Sequence, residues 1–215
     1  MVVEMELKDK VRSGYLDYLL THGRRPVSVF AFAKQESMEE AEFYTLYNSF
    51  DAIEQEIWTA AFAETKTRLG NDEAYKGYSA RERLLALHFT WFEVWKPHRS
   101  YALFTWNTFN KRVPKTPNVL KMLQKQYVQA VNEILNTGFD NGELVSRPFL
   151  ADKYGEGLWI QFLMLNNYWL KDTSSDFEDT DAAIEKSVRL SFELMGANVV
   201  DAATDFVKFL FQKRR

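Results

Sequence analysis

Apolar residues recur along most of this chain at the three- and four-residue spacing that places them on one face of a helix. In the first helix that this spacing predicts, Val11, Tyr15, Tyr18 and Leu19 share such a face, and Gly23 ends the helix. No segment alternates between apolar and polar residues as a half-buried strand would. The pattern therefore predicts an all-α fold.

Two short helices and a longer one are predicted between residues 28 and 62. Ser28 is a residue type that favours the N-cap position, so a short second helix should begin there. A third short helix should cover about Glu39 to Tyr47, and Asp51 should cap a longer fourth helix. Residues 70–78 have the composition of a loop.

In the second half of the chain, apolar spacing and capping residues predict six further helical segments. A capping box from Ser79 to Glu82 starts the first of them, and Pro97 ends or kinks it. Thr116 and Pro117 give a cap followed by proline at the first position of a long amphipathic helix. The remaining segments cover residues 98–111, about 150–170, 182–195 and 200–213, and residues 136–148 are predicted to form a loop.

The composition is that of a globular protein, with 46% hydrophobic and 27% charged residues among 215. The absence of cysteine excludes disulfides and thiolate metal sites. The N-terminus lacks the pattern of a signal peptide, and no apolar run approaches the ~20 residues of a membrane span, so we expect a cytoplasmic protein without a membrane partner. The last residues, FVKFLFQKRR, suit either a docked terminal helix or an interfacial anchor for anionic lipid.

The stretch from Ser28 to Ile53 has the spacing of a helix-turn-helix followed by a longer helix. Without a gap, Phe32-Ala33, Ser37-Met38, Phe43-Tyr44, Tyr47, Ser49 and Ile53 fall at the positions of the pattern I-A-x-x-A-G-V-S-x-x-x-x-Y-x-x-F-x-S-K-x-x-L, with Ser37 in place of the glycine. That pattern belongs to the N-terminal domain of TetR-type transcriptional regulators, and the chain resembles this family. An unrelated helical protein in which three helices happen to pack with this spacing is the alternative.

The resemblance implies a small head of three to four helices over residues 1–50 and a larger helical domain for ligand binding and dimerisation over residues 51–215. It also implies a homodimer that forms through the helices near 150–170 and 182–196, where apolar residues occupy more than one helix face. An internal helix bundle of a monomer would explain the same apolar residues.

The resemblance further implies which head residues face operator DNA: Arg24, Arg25, Ser28, Lys34, Glu39, Glu40, Glu42, Tyr44 and Thr45. Three of these are glutamates in the helix that should read bases, and Phe50 replaces the family's usual lysine before the next helix. Residues 1–60 hold six lysines and arginines against eleven acids, which disfavours phosphate binding. The head therefore either binds DNA with an atypical specificity or retains the fold without binding DNA.

Aromatic residues are concentrated in the middle of the chain, where the family commonly holds a small, mostly apolar ligand. The predicted ligand-binding residues are His88, Trp91, Phe92, Trp95, Phe104, Asn107, Trp159, Phe162 and Asn166. Aromatic residues at helical spacing also suit a protein core or a dimer interface, so both interpretations stay open.

Catalytic and metal-binding patterns find no support in the sequence. His22, His88 and His98 form no H-x-x-x-H or E-x-x-H pair, and nucleophile-elbow, phosphate-loop and dinucleotide patterns are missing. We therefore expect no enzyme, no metal and no cofactor. The predicted function is ligand-responsive transcriptional regulation, and the first alternative is a protein of the same fold that binds a lipid or another hydrophobic molecule and not DNA. A helical interaction protein whose acidic head binds a basic partner is the second alternative.

Overall fold

The computed structural model describes residues 2–108, 116–145, 147 and 151–196. Within these ranges the chain is helical and contains no strand, which confirms the predicted all-α fold. The α-helices are α1 (Val2–His22), α2 (Val29–Gln35), α3 (Glu40–Leu46), α4 (Phe50–Asn71), α5 (Ala80–Trp95), α6 (Arg99–Thr108), α7 (Lys121–Asp140), α8 (Ala151–Trp169) and α9 (Glu178–Met195). Short 3₁₀ helices cover Glu73–Gly77, Lys96–His98, Asn118–Leu120 and Ser175–Phe177.

Three predicted helix boundaries are confirmed with their physical cause. Gly23 ends α1 with φ of 62°, a left-handed conformation that glycine adopts without steric cost. The Ser28 hydroxyl caps α2 by accepting a hydrogen bond from the Ala31 amide at 3.1 Å. At the start of α5, the Ser79 amide donates to the Glu82 carboxylate at 2.8 Å and the Ser79 hydroxyl accepts from the Glu82 amide at 3.3 Å.

Other predicted boundaries are wrong by a few residues. Helix α4 begins at Phe50, and its first turn is capped by the Ser49 hydroxyl, which accepts from the Ala52 amide at 3.3 Å; Asp51 already lies inside the helix. Pro117, and not Thr116, is the residue before the 3₁₀ turn at Asn118–Leu120. Helix α7 continues to Asp140, into the loop predicted at 136–148, and the predicted loop at 70–78 contains a 3₁₀ helix. Residues 109–111 and 200–213, both predicted helical, lie outside the described ranges.

The chain divides into two compact units. Unit 1 combines Met1–Glu64 with Val94–Gln124, and unit 2 combines Thr65–Glu93 with Lys125–Arg215. The functional division into a head at 1–50 and a larger domain at 51–215 stays a prediction.

In unit 1, an aromatic cluster holds α1, α2, α3 and the start of α4 together. The Phe50 ring stacks on Tyr15 at 5.2 Å and meets Phe32 and Phe43 edge-on at 5.7 and 5.8 Å. Tyr15, Phe32 and Phe43 are fully buried. Because Phe50 completes this cluster, the residue that replaces the family's usual lysine has become part of the core of the helix-turn-helix.

In unit 2, α8 and α9 pack side by side and are joined by polar pairs as well as apolar ones. Gln161 on α8 donates to the Ser187 hydroxyl at 2.9 Å and accepts from the Ser191 hydroxyl at 2.5 Å, both on α9. At the corner between the two helices, Asp172 accepts two hydrogen bonds from Ser174 and two from Thr180. Backbone amides in the first turn of a helix have no acceptor within that helix, and Asp172 accepts from one of them, the Thr180 amide. Together these bonds fix the direction in which α9 leaves the corner.

Candidate DNA-binding face and ligand cluster

The helix-turn-helix is formed by α2, a four-residue turn and α3. Ser37 has φ of 56° in the turn, and the Met38 amide donates to the Ala33 carbonyl at 2.9 Å. The family's glycine at this position would adopt that left-handed conformation more readily than serine does. The motif thus keeps its geometry, at a small conformational cost.

The exposed face of α3 is dominated by carboxylates. Glu39, Glu42, Tyr44 and Thr45 are exposed and Glu40 is half-exposed, so the predicted solvent-facing positions do face solvent. The Thr45 hydroxyl donates to the Glu42 carbonyl at 2.7 Å, so its proton is already used. Beside α3 lies an open cleft of about 580 Å³. It is lined by Phe30, Lys34, Ser37, Met38, Glu39, Glu40, Ala41 and Glu42, so one lysine faces three glutamates.

Arg25, predicted to contact phosphate, is held in a network inside unit 1. Its guanidinium donates to the two carboxylate oxygens of Glu54 at 2.8 and 2.7 Å and lies 2.7 Å from Asp51. Glu54 is only 2% exposed and also accepts the Tyr15 hydroxyl proton at 2.6 Å. Burial, together with the Glu54 charge, raises the pKa of Tyr15 well above its usual range, so the hydroxyl stays a donor. A phosphate would have to compete with two carboxylates for Arg25.

Three other basic residues of the head are also engaged within unit 1. Lys8 and Arg12 on α1 approach the Glu56 carboxylate on α4 at 3.9 and 3.4 Å, and Lys10 donates to the Glu36 carbonyl at 3.2 Å. Arg24 and Lys34 are exposed, and neither makes an ion pair with a residue in the described ranges. Of the basic residues predicted to face DNA, Arg24 and Lys34 are therefore the two whose charge is not paired within the described ranges.

Five of the predicted ligand-binding residues come together in unit 2. His88, Trp91, Trp159, Phe162 and Asn166 are all buried. The rings of His88, Trp159 and Phe162 lie against Tyr127 on α7, and Trp91 packs on Phe162 at 5.1 Å. The Trp91 indole donates to the Asn166 amide oxygen at 3.0 Å, and Phe162 stacks on Tyr127 at 4.4 Å. Hereafter we call these residues, with Tyr127, the histidine cluster.

His88 is the titratable group of the histidine cluster. Its Nε2 lies 2.8 Å from the Tyr127 hydroxyl, whereas its Nδ1 has no hydrogen-bond partner in the described part of the chain. Complete burial lowers the pKa of His88 to about 3, so the ring is neutral at physiological pH. Because the Tyr127 hydroxyl donates to the Leu158 carbonyl at 3.4 Å, it accepts from His88 Nε2, and the neutral ring leaves Nδ1 as a buried acceptor that a hydroxyl group of a bound molecule would satisfy.

The other predicted ligand residues do not join the histidine cluster. Phe92 lies in unit 2 against Trp169 at 5.4 Å. Trp95 lies in unit 1, stacked with Tyr101 at 6.1 Å. Phe104 lines an open cleft of about 600 Å³ in unit 1, near Arg24 and Glu54, and Asn107 is exposed.

Two central residues were missed as site residues by the sequence analysis. Tyr127 belongs to the apolar stripe of α7, where nothing in the sequence separates it from an ordinary core residue. Glu54 could have been suspected, because it lies four residues before Trp58 and next to Ile53, where apolar residues recur at helical spacing. Among the described residues, no group of three or more His, Asp or Glu is placed to hold a metal ion.

An all-helical chain with a helix-turn-helix in its first fifty residues has the architecture of a helix-turn-helix regulator. A model of the tetracyclin repressor-like C-terminal domain matches residues 83–210, which is more than half of the chain. The protein therefore belongs to the TetR family. Among curated proteins, no sequence matches this chain.

Solved structures of similar fold extend over almost the whole chain at low sequence identity. One, from Shewanella sp. PV-4 and assigned to the TetR family of transcription regulators, has a TM-score of 0.60 and 13% identity over 89% of this chain and 98% of its own. Another is the fatty acid degradation regulator FadR from Bacillus halodurans, with a TM-score of 0.57 and 13% identity over 89% and 98% of the two chains. At such identity the likeness shows the shared fold alone.

No helix in the described ranges is long and apolar enough to cross a membrane.

Proposed function

We propose that this protein is a homodimeric, ligand-responsive transcriptional regulator that binds operator DNA through α2 and α3. The observation that carries the proposal is the preserved geometry of the helix-turn-helix. Phe43 anchors α3 in the core while Tyr44 and Thr45 point outward, which is the arrangement a reading helix needs to enter the major groove. Arg24 and Lys34 supply the phosphate contacts, and Tyr44 adds a hydroxyl on the same helix.

A homodimer is supported by an exposed apolar face on α8 and α9. Ile160, Met164 and Tyr168 follow one another at four-residue spacing on α8, and Leu190 and Leu194 do so on α9. Met164 is 68% exposed in the single chain. A second copy that presents the same two helices would cover this face and form a four-helix interface.

We expect the dimer to depend on this apolar face. Replacing Met164 by glutamate would bury a charge in the interface and should convert the dimer into monomers at micromolar concentration, as measured by sedimentation velocity. Asn136→Glu, which adds the same charge at an exposed position of α7, should leave the dimer intact. A monomeric wild-type protein, or a dimeric Met164→Glu variant, would contradict the proposed interface.

Ligand response is assigned to the histidine cluster. Its aromatic rings suit an apolar molecule, and His88 Nδ1 offers one polar anchor. A molecule that binds one arrangement of the two heads more tightly than the other would shift the dimer between DNA-binding and released states. The effect requires this difference in affinity, because equal binding to both states shifts nothing.

A second candidate function is binding of a lipid or hydrophobic metabolite without DNA. The observation that favours it is the charge of the head, in which Glu39, Glu40 and Glu42 face outward while Arg25 is paired with Glu54 and Asp51. Under this candidate the helix-turn-helix is retained for its packing, and protein purified from cells carries an apolar molecule that native mass spectrometry detects.

The deciding experiment measures binding to upstream DNA and to random duplex across a salt series. Two available cations per head give about four phosphate contacts per dimer, so log Kobs against log salt should have a slope of about −3.6. Affinity should then fall about 150-fold between about 50 and 200 mM salt. Replacing both Arg24 and Lys34 by alanine should flatten the slope, whereas Lys125→Ala, on α7, should not.

Sequence-dependent binding with this shallow slope supports the regulator. A slope close to that of a protein with many cationic contacts would show that other residues meet the phosphates and would refute the assigned contacts. No binding at low salt, before and after extraction of bound apolar molecules, would leave the second candidate.

A further inference from the structure

The cleft beside α3 contains apolar surface that is open to solvent. Phe30, on the first turn of α2, lines the cleft and is 60% exposed. The half-buried Met38 lines it from the turn between α2 and α3. Most of the Phe30 ring is therefore in contact with water, and a partner that covered this ring would gain the free energy of burying it.

The carboxylates in the lining of this cleft are not neutralised by basic residues of the described part of the chain. Glu39 and Glu42 are exposed and Glu40 is half-exposed, and none of the three makes an ion pair with a described residue. Among the described residues of the lining, Lys34 is the one cation. The cleft therefore joins an exposed aromatic ring to a net negative charge.

The cleft has its shape before any partner arrives. The buried rings of Phe32 on α2 and Phe43 on α3 meet edge-on at 6.1 Å, and they hold the two short helices from beneath. The open volume of about 580 Å³ leaves room for a large side chain and the side chains that flank it. Because the cleft needs no rearrangement, binding there would not be weakened by the cost of ordering this surface.

The charge of the cleft selects the chemistry of its occupant. A phosphate of a nucleic acid or of an anionic lipid would meet three glutamates and one lysine there and would be repelled. A second copy of the chain that approached with the same face would bring the same carboxylates. A polypeptide segment that carries lysines or arginines beside a large apolar side chain matches both features, because its cations pair with the carboxylates while its apolar side chain covers Phe30.

We propose that this cleft docks a basic, amphipathic segment of a partner protein. An apolar side chain of the segment contacts Phe30 and Met38, and its lysines or arginines pair with the exposed Glu39 and Glu42. The cleft lies against the face of α3 that the proposed regulator presents to the major groove, so the segment and operator DNA exclude each other. This exclusion rests on the proposed function, whereas docking of the segment does not.

The test uses a synthetic helical peptide of about 15 residues with leucines on one face and lysines beside them. Fluorescence anisotropy of the labelled peptide, titrated with the full chain, should give a Kd on the order of 10–100 µM at about 50 mM salt. The Kd should rise severalfold by about 300 mM salt, because salt screens pairs of exposed charges. A peptide with glutamate in place of each lysine, and one with alanine in place of each leucine, should each bind at least about tenfold more weakly.

Two pairs of variants locate the site on the protein. Phe30→Ala should weaken binding of the peptide about tenfold, whereas Leu20→Ala, at an exposed position of α1, should leave the affinity unchanged. The double variant Glu39→Gln with Glu42→Gln should weaken binding about fivefold. Its control, Glu6→Gln with Asp17→Asn, removes two exposed carboxylates of α1 and should bind as wild type does. Circular dichroism establishes that all four variants keep the helical content of wild type.

The docking site is overturned if the peptide does not bind at millimolar concentration, or if Phe30→Ala binds the peptide as wild type does. Equal binding of the peptide without leucines would also overturn it, because charge alone would then explain the attraction. If Phe30→Ala instead weakens binding to random duplex DNA, or self-association of the chain, and leaves peptide binding unchanged, the occupant is DNA or a second copy and the proposal is wrong.

A competition experiment separates this proposal from the proposed function. The peptide should displace labelled upstream DNA from wild type and should do so about tenfold less effectively from Phe30→Ala. A peptide that binds wild type without displacing the DNA would overturn the mutual exclusion. A chain that binds the peptide and fails to bind any DNA would contradict the proposed function and support the docking site.

Discussion

Acidification should destabilise this protein through His88 before most carboxylates titrate. The ring is fully buried in unit 2 and its pKa is lowered to about 3, whereas an unfolded chain has a histidine pKa of about 6.5. Between about pH 3 and pH 6.5, His88 binds a proton in the unfolded chain but not in the folded chain. The stabilisation that comes from keeping His88 neutral is therefore complete above about pH 6.5 and is lost as the pH falls toward 3.

The size of the effect follows from the two pKa values. At pH 5 the unfolded state gains about 2 kcal/mol from protonation at this site while the folded state gains almost nothing. At pH 3 the difference is about 4 kcal/mol. A domain with a typical free energy of unfolding of about 5–15 kcal/mol would lose a large fraction of its stability between neutral pH and pH 4.

Urea unfolding at pH 7.5 and pH 5 measures this loss. In wild type the free energy of unfolding should fall by about 2 kcal/mol more than in His88→Leu, which has no proton to bind. His22→Gln removes an exposed histidine and should retain the wild-type fall. Parallel pH profiles for wild type and His88→Leu would refute the argument, because they would show that His88 titrates alike in the folded and unfolded chains.

Three further substitutions test single contacts. Arg25→Ala should lower the free energy of unfolding by about 2–4 kcal/mol because it leaves the buried Glu54 unpaired, whereas Arg24→Ala should change it by less than about 0.5 kcal/mol in the same urea experiment. Burial alone would raise the pKa of Asp172, but the hydrogen bonds from Ser174 and Thr180 outweigh it and hold the pKa at about 2. Asp172→Asn should therefore cost about 2 kcal/mol at neutral pH, and the difference should disappear as the pH falls from about 4 to 2. Ser37→Gly should raise the melting temperature by a few degrees because Ser37 has a left-handed backbone, and a lower melting temperature would contradict that reasoning.

The helices were predictable because each carries its own signal in neighbouring residues. The cap of α2 at Ser28 and the box from Ser79 to Glu82 depend on residues at most three positions apart, and both are confirmed. The start of α4 was placed wrongly because Ser49 and Asp51 both suit an N-cap. The choice depends on Phe50, whose ring reaches Tyr15 on another helix, and that contact has no local signature.

The ion pairs could not be predicted from the sequence, because they also join residues that are far apart along the chain. Arg25 and Glu54 are 29 residues apart, and no sequence pattern between them predicts their hydrogen bonds. The prediction that Arg25 faces DNA rested on the path of the DNA backbone that the resemblance implies, and in the structure Arg25 pairs with Glu54 and Asp51 while its neighbour Arg24 does not. Likewise, the aromatic residues predicted as one ligand site belong to two units, because residue type alone does not say which helix face meets which neighbour.

The same three glutamates separate the two proposed functions. If α3 lies against phosphates, changing Glu39, Glu40 and Glu42 to glutamine removes repulsion and raises affinity for every duplex alike. If one of them accepts a hydrogen bond from cytosine, the same change lowers affinity for the operator and raises affinity for random DNA. The ratio of operator affinity to random-DNA affinity then falls. If the head does not bind DNA, the substitutions change neither the affinity for the operator nor the affinity for random DNA. Because Phe43 and Phe50 hold the helix from beneath, the substitutions change its charge and leave its position intact, so each outcome reports on contact with DNA and not on folding.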